Sequence, residues 1–325
     1  MTDMTHCEMI PEKALEWHQA GKAAIIATVV ETWGSAPRRI GGQLVVSGSG
    51  EMEGSVSGGC VEGAVIFEAL EALEGKTSKL LEYGVSDGDA FAVGLACGGT
   101  IRVLLEPIGA VLPEEMLAQI VELRKTRVAF AYVVNVRTGE RRLERDGFKE
   151  RLRLDRSGLE EDQETFVGVH NPPLRLVIVG GVHIAQSLSP MARLAGFEPI
   201  IVDPREGFGS ADRFPGDRII NEWPDEALAQ IGRDSRTALV LLTHDPKLDD
   251  PALEFGLGSE YFYIGALGSK RTHAKRVERF EKKGYSQDQI GRICGPVGLN
   301  IGSATPAEIA VSILAQMVEK LRTGP

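Results

Sequence analysis

Residues 174–185 read LRLVIVGGVHIA, and this stretch decides the fold. A short run, apolar but for Arg175, stops at Gly180-Gly181 and then turns helical in pattern. Such a run, ended by glycines, reads as a buried strand handing over to a helix. Runs of the same kind recur at 198–203 (EPIIVD), 238–243 (ALVLLT) and 261–266 (YFYIGA), with helical patterns between them. Short apolar strands separated by helices predict a parallel, doubly wound α/β sheet of the Rossmann type.

The turn after the first strand has the position of a dinucleotide fingerprint, G-x-G-x-x-G/A. Gly180, Gly181 and His183 lie in it, and Asp203, 23 residues after Gly180, stands where an acid holds a ribose. The helix start there attracts a pyrophosphate. The middle glycine of the pattern, however, is Val182. A β-branched side chain crowds the point where the backbone must approach the pyrophosphate. NAD(P) is therefore a weakened expectation on a sound scaffold. Arg205 reads either as a partner for a 2′-phosphate or as a solvated charge.

Two more loops fall at the carboxyl ends of parallel strands, where such sheets bind ligands. One is Thr243-His244-Asp245. The other runs from Gly265 through Gly268, Ser269, Lys270 and Arg271. Glycines, a serine and two cations at a helix start suit an anion, or equally a plain cap with solvated charges. Pro190 falls inside the first crossover helix and is expected to kink it.

Asn171-Pro172-Pro173 is a stiff, non-helical connector, and the rhythm changes across it. It predicts a mixed α/β domain over 1–171 and the Rossmann-like domain over 172–325. In the first, helices are expected at 11–20, 61–73 and 112–125. Strands are expected at 23–32, 43–47, 52–56, 78–83 and 100–106, with a hairpin at 128–136 and 141–144. Residues 145–165, charged and poorly periodic, read as a flexible or edge segment.

Of four cysteines, Cys7, Cys60, Cys97 and Cys294, two are flanked by glycines. Cys60 follows Gly58-Gly59 and is expected to open a helix, where the dipole stabilises a thiolate. Cys97 precedes Gly98-Gly99 and a strand. Glycines permit close backbone approach to a ligand. The competing reading is packing, since free cysteines are among the most buried residues. For Cys7 and Cys294 packing or a frayed end is the better reading. No CxxC pair or histidine cluster points to structural zinc, and no G-x-S-x-G elbow to a hydrolase. Few thiols in 325 residues suit a reducing cytoplasm. The polar start MTDMTHCEMIPEK does not read as a signal peptide, and apolar runs fall short of a membrane span. The formal charge of −10, with no basic stripe, argues against nucleic acid.

Three segments carry a family resemblance: ATVVETWGSAPRRIGGQLVVS, GSVSGGCVEGAVIFEAL and GLACGGTIRVLLEP. In sequence and order they resemble the XdhC/CoxI family. LRLVIVGGVHIAQSLSPMARLAGFEPIIVDPR, YFYIGALGSKRT and CGPVGLNIGSATPAEIAVSILAQM are similar to that family's Rossmann domain. The likeness spans nearly the whole chain except its first residues and much of 110–170. It implies an accessory protein that binds the molybdenum cofactor (molybdopterin) during sulfuration and delivers it to a molybdenum hydroxylase such as xanthine dehydrogenase. A cysteine desulfurase supplies the sulfur. Cys60 then matches the cofactor-associated cysteine, in contact with molybdenum, and Cys97 the second one. Soft thiolates suit that metal. Where the family commonly has G-x-G-H, this chain has Gly180-Gly181-Val182-His183; His183 and Asp203 are retained. An NAD(P)-dependent oxidoreductase and a sulfurtransferase with a Cys60 persulfide are the alternatives. A homodimer is the expected assembly.

Overall fold

A computed structural model of the protein describes residues 9–34, 38–84 and 99–324. They divide into two compact units, one ending at Pro172 and one starting at Pro173.

The first unit opens with helix α1 (Ile10–Gln19) and strands β1 (Ala24–Trp33), β2 (Gln43–Ser47) and β3 (Met52–Gly54). Helix α2 (Glu62–Gly75) and strands β4 (Lys79–Tyr83) and β5 (Thr100–Pro107) follow. These strands form one antiparallel sheet in the order β3-β2-β1-β5-β4. β1 is central, which explains why Ala24–Val30 is buried without alternation. Ile25, Ala27 and Val29 share a core with Val65, Ala69 and Ala72 of α2. Ala24 and Ile26 join the opposite core, with Ala14 of α1. Each valine or isoleucine so taken from water contributes about 1.5–3 kcal/mol, and each alanine methyl about 0.8 kcal/mol.

Helix α3 (Glu114–Lys125) packs on that opposite core through Leu117 and Ile120. Beyond it come strands β6 (Phe130–Asn135) and β7 (Arg141–Glu144), helix α4 (Lys149–Leu154), and strands β8 (Gly158–Leu159) and β9 (Thr165–His170). Their sheet runs β7-β6-β9-β8. The segment at 145–165, expected to be flexible or an edge, is thus a helix and an edge strand. α4 buries no residue, so it has no apolar period to read. It is held by polar bonds: Arg151 donates to the Leu159 carbonyl at 2.8 Å and pairs with Glu160 at 2.8 Å.

The second unit contains β10 (Leu174–Val179), α5 (His183–Leu194), β11 (Phe197–Val202), β12 (Arg218–Ile220), α6 (Pro224–Ile231) and β13 (Thr237–Leu241). It continues with α7 (Pro246–Leu257), β14 (Tyr263–Ala266), α8 (Lys270–Lys282), α9 (Gln287–Gly291), β15 (Ile293–Cys294) and α10 (Pro306–Thr323). The sheet order is β12-β11-β10-β13-β14-β15, all parallel. This is the doubly wound order whose direction reverses between the first and fourth strands, here β10 and β13. One face packs Val177, Val179 and Leu239 against Leu228 and Leu253. The other packs Leu176, Ile178 and Val240 against Leu188, Ile313 and Met317. Strands β12 and β15, of three and two residues, are too short to leave a pattern. Pro190 does lie within α5. Among the described residues no helix is long and apolar enough to cross a membrane.

Candidate functional site

The register of the five-stranded sheet brings to one end the strand termini that flank its glycine-containing connections. Trp33, at the end of β1, pairs with Thr100, at the start of β5. Tyr83, at the end of β4, lies one pair in, opposite Ile101. β2 starts at Gln43 and β3 ends at Gly54 on that same side, since antiparallel neighbours alternate direction. The strand ends that flank the connections over 34–42, 55–61 and 84–99 therefore lie at one end of the sheet. The second holds Cys60. The third holds Cys97 and Gly98, which lie outside the described residues, as does Cys7. Gly99 is buried directly before β5.

The Cys60 loop is built around a carboxylate. Ser55 Oγ and the Ser57 N–H donate to Glu62 Oε1 at 2.7 and 2.9 Å. Ser57 Oγ and the Gly59 N–H donate to Oε2, the latter at 2.8 Å. Two further amides are tied to the same serines: Gly58 N–H to Ser55 Oγ at 2.8 Å and Val61 N–H to Ser57 Oγ at 2.9 Å. Burial raises the pKa of a carboxyl group, but the hydroxyls of Ser57 and Ser55 and the Ser57 amide outweigh it and hold Glu62 at about 2. Gly58 and Gly59 have φ of +72° and +109°, which side chains with a Cβ rarely adopt.

Cys60 does not open the helix. Val61 is the N-cap and α2 begins at Glu62. Cys60 stands one residue earlier, as a free, partly buried thiol packed on the α2-side core. Sequence reasoning missed Glu62, whose signal was a lone acid at an otherwise apolar helix start.

In the second unit the loop after β10 is also tied by an acid. The Gly181 N–H donates to Asp203 Oδ2 at 2.9 Å. The Arg205 N–H and Nε reach Oδ1 at 3.0 and 2.8 Å, and Nη2 reaches Oδ2 at 2.7 Å. A carboxylate has about four acceptor positions, and these four bonds fill them. Asp203 is fully buried. Burial pushes its pKa up, yet Arg205 and the two amides bring it below the usual range. The expected ribose acid thus offers no free acceptor. Arg205, read as a phosphate partner or a solvated charge, is instead the counter-ion of Asp203, and it stacks 4.0 Å from the Phe208 ring. A Cβ on Gly181 would strike the Phe208 carbonyl. Val182 is the extended N-cap of α5, with no side-chain cap bond, and His183 is exposed. NAD(P) therefore does not fit this loop in the usual mode.

Across the switch point the loops differ. Asp245 caps α7, accepting from the Lys247 N–H at 3.0 Å, and Thr243 donates to Asp249. Gly265 lies within β14 rather than in a loop. Gly268 leads to Ser269, which caps α8 by accepting from the Thr272 N–H at 3.1 Å. Lys270 and Arg271 are exposed and have no ion-pair partner among the described residues. Behind them Arg276 is buried. Its Nη2 donates to the Leu267 carbonyl at 3.1 Å and lies 3.6 Å from Asp249. Arg276 Nε and Nη1, and His273 Nδ1, are buried with no hydrogen-bond partner. Cys294 is partly buried on β15, its pKa raised by burial. No group of three or more His, Cys, Asp or Glu able to hold a metal ion occurs among the described residues.

Residues 17–84 match the model of the XdhC and CoxI family, and residues 176–317 that of the XdhC Rossmann domain. The chain is 32% identical over 304 residues to the molybdenum cofactor insertion chaperone PaoD of Escherichia coli (strain K12), spanning 94% of this chain and 85% of that protein. It is 28% identical over 324 residues to a Bacillus subtilis (strain 168) protein named as a probable xanthine dehydrogenase subunit, spanning 91% and 92%. A crystal structure described as a xanthine dehydrogenase from Bacillus halodurans is similar with a TM-score of 0.64 and 25% identity, over 97% of this chain and 96% of that one.

Proposed function

The chain belongs to the XdhC and CoxI family, and we propose that it binds the molybdenum cofactor and hands it to a molybdenum hydroxylase of the xanthine dehydrogenase type. The observation that carries this is a free thiol, Cys60, on a loop fixed by its own hydrogen bonds, with no metal cage among the described residues. A metal ion arriving bare needs several ligands. A molybdenum centre already chelated by its pterin needs only one more soft contact, and a thiolate supplies it. A single metal–thiolate bond also suits a cargo that must leave again.

Cys60 contacts the molybdenum, and Cys97 acts beside it. Gly58 and Gly59 let the cargo approach the backbone, and Gly98 and Gly99 do the same for Cys97. A separate site for an anion is the turn from Gly268 into α8, just after Gly265 of β14, where Lys270 and Arg271 are uncommitted and Ser269 fixes the helix start. A cysteine desulfurase supplies the sulfido ligand while the cofactor is held. The protein works in the cytoplasm as a homodimer. NAD(P) has no part in this reading, because Asp203 is already filled.

Anaerobic binding of the molybdenum cofactor by the full chain tests the reading. Cys60→Ala is expected to keep the circular dichroism of the wild type and lose the cofactor. Undiminished binding by that variant would contradict it. A wild-type Cys60 peptide carrying one extra sulfur after exposure to a desulfurase would favour the persulfide carrier instead.

A further inference from the structure

We infer that Glu62 is the positioning residue of the Cys60 loop: it occupies, from within the chain, the amide nest that an external anion would otherwise take. The inference rests on the reading of Cys60 as the cargo-contacting thiol. Gly58 and Gly59 take positive φ, and a turn whose N–H groups point to a common centre is the geometry by which loops bind phosphates and carboxylates. Here the amides of Ser57 and Gly59 and the hydroxyls of Ser55 and Ser57 converge on both oxygens of Glu62. An ordinary helix cap uses one or two such donors from its own turn. This carboxylate reaches back to Ser55, seven residues earlier, and so closes the whole loop.

Two consequences follow for the ligand. The loop cannot receive the phosphate of the cargo, because the donors that would bind it are spent. What it leaves for the ligand is the thiol, held at a defined place beside a fixed negative charge. That combination favours a soft, electron-poor metal over an oxyanion, and it sends the anionic end of the cargo elsewhere on the protein.

The test uses the full chain and needs no molybdenum, so it stands or falls apart from the carrier reading. The rate of iodoacetamide modification of Cys60 is followed by peptide mass at neutral pH, with and without formate or inorganic phosphate at constant ionic strength. In wild type the rate is expected to ignore both anions. In Glu62→Ala it is expected to rise about tenfold, the equivalent of a lost hydrogen-bonded tie. Formate, filling the vacated nest, is expected to bring it back toward the wild-type value. Glu62→Gln keeps the volume but loses one acceptor oxygen, and should react at an intermediate rate even if the alanine variant fails to fold. A wild-type rate in either folded variant overturns the assignment. So does a Glu62→Ala rate that formate does not change, since a merely structural glutamate gives no anion response.

Discussion

Two glycine loops lead into helices in this protein, Ser57–Val61 before α2 and Gly180–Val182 before α5, and each is tied by a buried carboxylate of its own chain. The difference lies in what else the carboxylate holds. Glu62 takes only neutral donors, serine hydroxyls and amides, so its charge stays at the start of α2, where the helix dipole favours it. Asp203 takes one loop amide and then an arginine, so its charge is cancelled inside the fold. The first loop keeps a thiol at its surface. The second has spent the acid that a ribose would need. A glycine loop before a helix is thus no evidence of a bound phosphate until its amides are accounted for.

The comparison breaks most readily at Asp203. Asp203→Asn leaves Arg205 without its counter-ion and sets a new N–H against existing donors. Breaking a buried pair costs about 3–5 kcal/mol, and the partly exposed arginine places this one at the lower end. Urea unfolding of the full chain measures it; a change below about 1 kcal/mol would mean that the pair is incidental.

Glu62→Gln is the milder counterpart, expected to cost about 1–3 kcal/mol through donors left short of an acceptor. It also carries a pH signature. Glu62 is held at about 2 in the fold, against an ordinary 4.5 in the unfolded chain. Between those values the unfolded chain binds a proton that the folded loop refuses, so this stabilisation is full above about 4.5 and fades as pH falls toward 2. The variant should lose that part of the acid dependence, which thermal unfolding at stepped pH reads directly. An unchanged acid slope would remove Glu62 as its source.

The smallest stability effect is expected at the α8 start. Lys270→Ala with Arg271→Ala should change unfolding by no more than about 0.5 kcal/mol, as for other exposed charges. The same double variant should nevertheless weaken cofactor binding, and more so at low salt, because unpaired surface cations act through charge. Equal binding by variant and wild type would move the anion site away from this turn.

What the sequence revealed and what it hid divides along the same line. β10, β11, β13 and β14 are predominantly apolar, broken only near their starts by Arg175, Glu198 and Thr237, because both faces of the sheet are covered, and such runs are legible. β12 and β15 contribute too few residues to form a run, and α4 has no buried face at all. The key residues of the two loops stand out in the sequence as types and places: Cys60 by its glycines, Asp203 by its spacing. Their partners were not. Nothing local announces that Glu62 closes over Ser55, or that Arg205 folds back onto Asp203, because both depend on side-chain reach in three dimensions. Val182 pointed to a damaged nucleotide loop by steric crowding, and the filled acceptors of Asp203 give a second and independent reason.

The most direct measurement is a footprint of Cys60 in the wild-type protein. Iodoacetamide modification of the Cys60 peptide is followed under anaerobic, reducing conditions, with the molybdenum cofactor added and, separately, with NADH. The carrier account expects saturable protection by the cofactor and none by NADH. Equal modification with and without the cofactor would contradict the claim that Cys60 meets the cargo.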